Sequence, residues 1–254
     1  MKGEVKMRIL IYSFSIVLIV LILILSLKSN VLAHVPLNTS APATKENPIF
    51  VEDHQISWAA YNQLETAGDV DFYSFKVEQG EVIYFSMVIP VIDRYKNFRP
   101  DLALIGPRLE NDYAGYDMNY INSLLKLESG ENIIIVRDVQ DNPDTFFEPF
   151  TRTSYWRRQQ YSTEAPAEGT YYLAVFSEEK DQGKYTLAIG RKEIWGLKDL
   201  IRMPKIWWDT RMFVEKETST YLVSALVFAV SSFILYKFFF RNNQSLFLTY
   251  FVIL

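Results

Sequence analysis

Cysteine is missing from the 254-residue chain. Disulfides, iron–sulfur clusters and cysteine-ligated zinc are thereby excluded, and an exported domain built from this chain depends on its core alone. Histidine is nearly missing too: His34 and His54 are the only two. Acid–base catalysis by histidine and multi-histidine metal sites therefore have almost no raw material. There is no G-x-S-x-G elbow, and a Ser-His-Asp set would need His54 with no serine nominated beside it. Paired-carboxylate hydrolysis stays open because Asp and Glu are plentiful, yet nothing singles out a pair. The net charge is only −4, which gives no basic footprint for nucleic acid. These shortages favour a chain that is not an enzyme.

What the chain has in excess is apolar sequence at its two ends. Residues 9–27, "ILIYSFSIVLIVLILILSL", follow Lys2, Lys6 and Arg8. That is the pattern of a signal peptide or an uncleaved signal anchor over 1–33. The run is long for a signal, which favours an anchor; Val31 and Ala33 are small residues suited to cleavage before His34. A second run, residues 219–240, has about the ~20 residues needed to cross a hydrocarbon core, and Lys237 and Arg241 mark its cytoplasmic end. Both ends then place 34–218 outside the cytoplasmic (or plasma) membrane. Residues 241–254 read as a cytoplasmic or interfacial tail.

Between the ends the pattern changes to period two. Residues 34–48 are rich in Pro, Ser, Thr and Asn and read as a linker or an extended first segment; the sequon Asn38-Thr39-Ser40 lies there. From 49 to 190 short β-type runs follow one another. "DFYSFKVE" sets Tyr73, Phe75 and Val77 against Ser74, Lys76 and Glu78, the alternation of a half-buried strand. "VIYFSMVIP" is apolar on both faces. "PDLALIGP", "NIIIVRD" and the region around "HQISWAAYNQL" add more. "GTYYLAVFSEEKDQGKYTLAIG" reads as a closing hairpin, with Tyr171, Leu173, Val175, Tyr185, Leu187 and Ile189 toward the core. About seven or eight strands and no helix between them predict a mainly β fold, an antiparallel jelly-roll sandwich. Residues 191–218 carry Ile194, Leu197 and Ile201 at helical spacing, with Pro204 interrupting the run. Trp195, Trp207 and Trp208 suit a headgroup belt, so this segment reads as juxtamembrane and amphipathic; the alternative is a stalk packed on the sandwich.

Taken in order, "GDVDFYSFKVEQGEVIYFSMVIP", "RPDLALIGP" and "GTYYLAVFSEEKDQGKYTLAIG" resemble the bacterial pre-peptidase C-terminal domain over roughly residues 50–190. That family pattern has an acidic pair before a Tyr-x-Phe strand, a Gly turn, a Leu-x-Leu strand, and a Gly-Thr-Tyr-Tyr strand ending in Gly-x-Tyr-x-Leu. The resemblance implies a jelly-roll accessory module that binds rather than catalyses, with calcium binding in some relatives. This chain departs from it by lacking a preceding peptidase domain, by the inserts 108–130 and "DTFFEPFTRTSYWRRQQYSTEAP", and by its membrane segments.

Three sets of residues are candidates for function. Asp69, Asp71 and Asp101 stand at strand starts, with Glu52 and Asp53 before the first strand; carboxylates at such junctions can supply oxygen to calcium, the one possible cofactor. The alternative is that Asp69 closes a turn and Asp71 caps a strand edge. His34 at a processed N-terminus, with His54 as a third nitrogen, would suit copper; equally, His34 is part of a tether. The loop 146–161 gathers Phe146, Phe147, Phe150, Arg152, Tyr155, Trp156, Arg157, Arg158 and Tyr161. Of these, Phe147, Phe150, Arg152, Tyr155, Trp156, Arg157 and Arg158 form the expected binding surface, since aromatics beside arginines are the composition of interface hot spots. The alternative is that the aromatics cover an open end of the sandwich. The leading expectation is a non-enzymatic, membrane-anchored accessory domain that contacts membrane lipid and a partner protein or envelope component, with a metal-binding protein or a carbohydrate-binding module as alternatives.

Overall fold

Period-two alternation has a direct outcome in the computed structural model, which describes residues 34–37, 39, 43–66, 68–139, 141–149, 152–178, 181–194 and 197–239, with helical side chains described over 202–233. The expected signal segment 1–33, Asn38, Phe150, Trp195 and the tail 241–254 lie outside these residues. In chain order the strands are β1 (Val35–Pro36), β2 (Ile49–Phe50), β3 (Trp58–Leu64), β4 (Val70–Val77), β5 (Val82–Pro90) and β6 (Asp101–Pro107). Helix α1 (Met118–Leu124) comes next, then β7 (Glu131–Val136), β8 (Thr145–Glu148), β9 (Thr153–Glu164), β10 (Gly169–Phe176) and β11 (Gly183–Ile189). Helices α2 (Leu197–Val214) and α3 (Thr218–Phe239) close the described chain.

The strands form two mixed sheets stacked as a sandwich. One has the order β1-β3-β11-β5-β9-β8 and the other β2-β4-β10-β6-β7. Pairing is antiparallel except at the two-residue strands, where β1 joins β3 and β2 joins β4 in parallel. Alternate residues of each strand fill the space between the sheets: Tyr73 and Phe75, Ile83 to Ile89, Leu102 and Leu104, Tyr171 to Val175, Tyr185 to Ile189. The six residues expected at the core face of 168–190 are all fully buried. Each large side chain contributes roughly 1.5–3 kcal/mol by leaving water, which is how a fold without disulfides holds.

Several expectations change. β10 and β11 do not form a hairpin: β10 pairs with β4 and β6, whereas β11 pairs with β3 and β5 in the opposite sheet. Both strands still turn their odd residues inward, so the face assignment holds while the pairing differs. The expectation of no helix between the strands fails at the insert 108–130. It carries α1, capped by Asp117, whose side chain accepts from the Tyr120 amide at 2.8 Å. Ile121 and Leu125 from this insert pack with Ile133, Ile135, Phe72 and Phe176 in a second core on the outer face of the β4-β10-β6-β7 sheet. That explains why these strands are apolar on both faces. The segment 34–48 is more than a linker, because its start adds β1 to the six-stranded sheet.

Pro204 does not interrupt the following helix, since α2 runs through it for 18 residues. The end of α2 lies on the sandwich. Lys184 donates from Nζ to the Phe213 carbonyl and sits 5.0 Å over its ring, Tyr61 meets that ring edge-on at 5.9 Å, and Arg94 reaches Glu215 at 3.3 Å. Trp208 packs against Tyr221 at 5.9 Å, joining α2 to α3. Counting only residues whose side chains are described, no helix is both long and apolar enough to cross a membrane.

Candidate functional site

The aromatic and arginine segment 146–161 is a hairpin and not a loop. β8 pairs with β9 from Thr145↔Trp156 to Glu148↔Thr153, and β8 is the last strand of its sheet. Along β9, Met87 faces Gln159 while Val88 faces Arg157, so Arg158 is the extra residue of a β-bulge. A bulge re-aims side chains. Here it turns Arg158 inward, where its Nη1 lies 3.3 Å from Asp138 Oδ2 with both side chains almost wholly buried. Gln159 next to it donates to the Pro100 carbonyl at 2.7 Å.

The hairpin therefore splits the expected binding set. Tyr155, 3% exposed, and Arg158, 4% exposed, are held inside and do not face a partner. Trp156 is half-buried and packs on the inter-sheet core. What faces solvent is Phe147, 57% exposed, together with Arg152 and Arg157. Arg157 lies 4.1 Å over the ring of Phe146, which itself stacks on Tyr155 at 5.7 Å. The result is a strand edge with a layered aromatic and cationic surface, and among the described residues no further strand pairs with β8. Arg152, at the turn, has a positive φ of 54°.

The three aspartates are not brought together. Asp69 closes the 65–69 turn, where its Oδ2 accepts from the amides of Glu65 at 2.8 Å and Thr66 at 2.6 Å. Asp71 is in register with Val175 of the inter-sheet core, whereas Asp101 is in register with Phe176 of the outer core. Their side chains thus serve opposite faces of one sheet. Asp71 ends a hydrogen-bond chain through the core: Asn62 Nδ2 to Tyr73 OH at 3.3 Å, Tyr73 OH to Tyr185 OH at 2.8 Å, and Tyr185 OH to Asp71 Oδ2 at 2.6 Å. Burial pushes the Asp71 carboxyl up to about 6, against the Tyr185 hydrogen bond and with help from Asp69 and Glu65. Asp101 accepts from the Tyr116 hydroxyl and from the Asp138 amide at 2.9 Å. Burial raises it as well, opposed by those donors and by Arg137. Among the described residues, no three His, Asp or Glu are placed to hold a metal ion.

The histidines also have separate partners. His34 Nδ1 lies 2.6 Å from Ser57 Oγ. The residue as a whole is exposed, yet desolvation of its ring lowers its proton affinity below the ordinary value, against Glu193 and Glu148. His54 is buried and stacks on Phe75 at 5.6 Å. Two groups carry no signal in the sequence: Asp138, which meets Arg158 only because of the bulge, and Glu81, which stands 3.7 Å from His54 across a turn.

No family model matches the chain, and no curated protein matches it in sequence. Among solved structures, the periplasmic g-type lysozyme inhibitor PliG of Aeromonas hydrophila aligns with a TM-score of 0.30 and 13% identity, over 62% of this chain and 95% of its own. PliG of Salmonella Typhimurium gives 0.30 and 18%, over 56% and 97%. The pre-peptidase C-terminal domain of a collagenase from Bacillus anthracis gives 0.27 and 14%, over 54% of this chain and 90% of that domain. At these scores the chain is similar to such β domains in outline and is placed in no family by them.

Proposed function

We propose that this chain is a non-enzymatic, membrane-held binding module, a jelly roll on the outer face of the cytoplasmic membrane that presents its β8 edge to a protein of a membrane complex. The observation that supports this most is α3. Leu226 is 65% exposed and Phe228 75%, and Leu222, Val227 and Phe233 are open as well, on several sides of the helix. Helices that show apolar residues all round need lipid or protein cover. The edge strand β8 supports the second half of the reading, because the last strand of a sheet beside an exposed aromatic is suited to pairing with an extended segment.

Alkaline carbonate washing of membranes from cells making the full chain tests the anchor. The wild type is expected in the pellet and the Leu226→Arg, Phe228→Arg double variant in the wash; a wild type that washes off sinks the anchor. A photo-crosslinking residue tests the edge. It is expected to give a discrete adduct at position 147 and none at Tyr120, which is also exposed, and identical adducts at both would remove the edge from the proposal.

A further inference from the structure

The β8 edge has a readable backbone register. The Arg157 amide donates to the Asp144 carbonyl at 2.8 Å, so these two residues are a hydrogen-bonded pair. Such pairs alternate along an antiparallel ladder. Phe146 with Tyr155 and Glu148 with Thr153 are therefore the next two. Thr145 and Phe147 alternate with them and turn their N–H and C=O groups away from β9. Among the described residues no further strand pairs with β8. Pro149 follows the strand and has no N–H to donate, so a ladder on this edge is confined to Thr145 and Phe147.

The two faces beside this edge differ in chemistry. Thr145 is in register with Trp156, which packs on the inter-sheet core, and Phe147 is in register with Ser154 on the same inner face. The Val91 amide donates to the Ser154 carbonyl at 2.8 Å, which puts Val91 next in that row. Phe147 is 57% exposed and Val91 40%, although this face holds the core elsewhere. The row from Val91 to Phe147 is thus an open corner of the core that ends at the edge. On the outer face the Arg157 guanidinium lies 4.1 Å over the ring of Phe146. Arg157 is exposed, and among the described residues no carboxylate lies within ion-pair distance of it. Asp144 and Glu148 stand on either side of Phe146 on this face. Along the outer row the charges therefore run negative, positive, negative.

We infer that β8 takes up an extended segment of the protein partner whose side chains run basic, apolar, acidic, apolar, basic. The acidic residue lies opposite Phe146, where its carboxylate meets the Arg157 guanidinium. The basic residues lie opposite Asp144 and Glu148. The two apolar residues pair through their backbone with Thr145 and Phe147, and their side chains lengthen the inner row that starts at Val91. Opposite charges facing each other across a strand pair stabilise it and like charges weaken it, so the order of signs selects the segment. The pattern is the same read in either direction. The inference rests on the β8 edge being the partner-facing surface, as proposed above, and names the chemistry of what that edge receives.

Fluorescence anisotropy of labelled, capped peptides with the full chain in non-ionic detergent tests it. One peptide is Thr-Lys-Val-Glu-Val-Lys-Thr; the other has lysine in place of the central glutamate. The glutamate peptide is expected to bind about tenfold or more tightly than the lysine peptide. Diffuse attraction to a chain of net charge −4 would give the opposite order. Arg157→Glu is expected to reverse the preference; if that variant melts early, Arg157→Gln is expected to remove it. N-methylation of both valine amides deletes the ladder donors and keeps the side chains, and it is expected to abolish binding. Equal affinities for the two peptides, binding of neither, a preference unchanged by the Arg157 variants, or undiminished binding of the methylated peptide each overturn the inference. Photo-crosslinking at position 147 decides the edge separately. An adduct there without the peptide preference removes only the charge pattern, and no adduct removes the edge with it.

Discussion

Asp71 joins a polar chain to the middle of an apolar core, and that position has a measurable consequence. Its carboxyl ordinarily titrates at 3.8 and is pushed up to about 6 by burial in the fold. Since the folded state holds the proton more tightly than the unfolded state, the stabilising effect is complete below about pH 4 and is lost as pH rises through about 6. The difference corresponds to roughly 3 kcal/mol at most. Asp71→Asn is neutral at every pH and keeps an acceptor for the Tyr185 hydroxyl. Its melting temperature relative to the wild type is expected to climb between pH 4 and pH 7, and parallel curves would refute the assignment. At this scale the sequence was readable in part: alternation told which residues of β4 and β11 face inward, because side-chain direction follows from backbone period alone. It could not tell that Asn62, Tyr73, Tyr185 and Asp71 meet, because they come from both sheets.

The β8–β9 hairpin shows what an element adds. Adjacent arginines have opposite surroundings, Arg157 on the surface over Phe146 and Arg158 buried against Asp138. Removing one partner of a buried ion pair leaves the other charge uncompensated, a loss of about 3–5 kcal/mol. Arg158→Met is therefore expected to lower the unfolding free energy by that amount in urea titration, and Arg157→Met by less than about 1 kcal/mol. Equal losses would mean that the bulge does not set the two apart. A run such as "SYWRRQQY" reads as a loop because its alternation breaks at the arginine pair, and the break is the bulge itself. The insert with α1 was illegible for a related reason. Its helix has only 7 residues and gains its stability from Ile121 in a second core that the sequence pattern does not announce.

At the scale of the whole molecule, Arg211 is the joint. Its Nη1 donates to the Arg152 carbonyl in the hairpin turn at 3.2 Å, while its Nε and Nη2 reach Thr220 Oγ1 at 3.1 Å and Nη2 reaches Glu217 at 2.6 Å. One side chain thereby ties the β8–β9 hairpin, the end of α2 and the start of α3. Arg211→Ala is expected to speed amide hydrogen exchange over 210–220 about tenfold while the β10 and β11 amides keep their protection. Faster exchange throughout the sandwich would instead show that the joint supports the whole fold. Such a joint holds the hairpin against the start of α3; on the function proposed above, it would let the helix orient the β8 edge.

The sequence by itself determined the mainly β class of fold, the inward-facing residues of the central strands, the two apolar ends, the scarcity of histidine and the absence of cysteine, since each of these follows from local period or from composition. Tertiary structure decided the rest. It sent β10 and β11 to different sheets, put Asp71 and Asp101 on opposite faces of one sheet, buried Tyr155 and Arg158, and set Glu81 beside His54. The physical reason is common to all four: they depend on which segments distant in sequence share a surface, and that is fixed by the packing of two sheets and not by the alternation within any one strand.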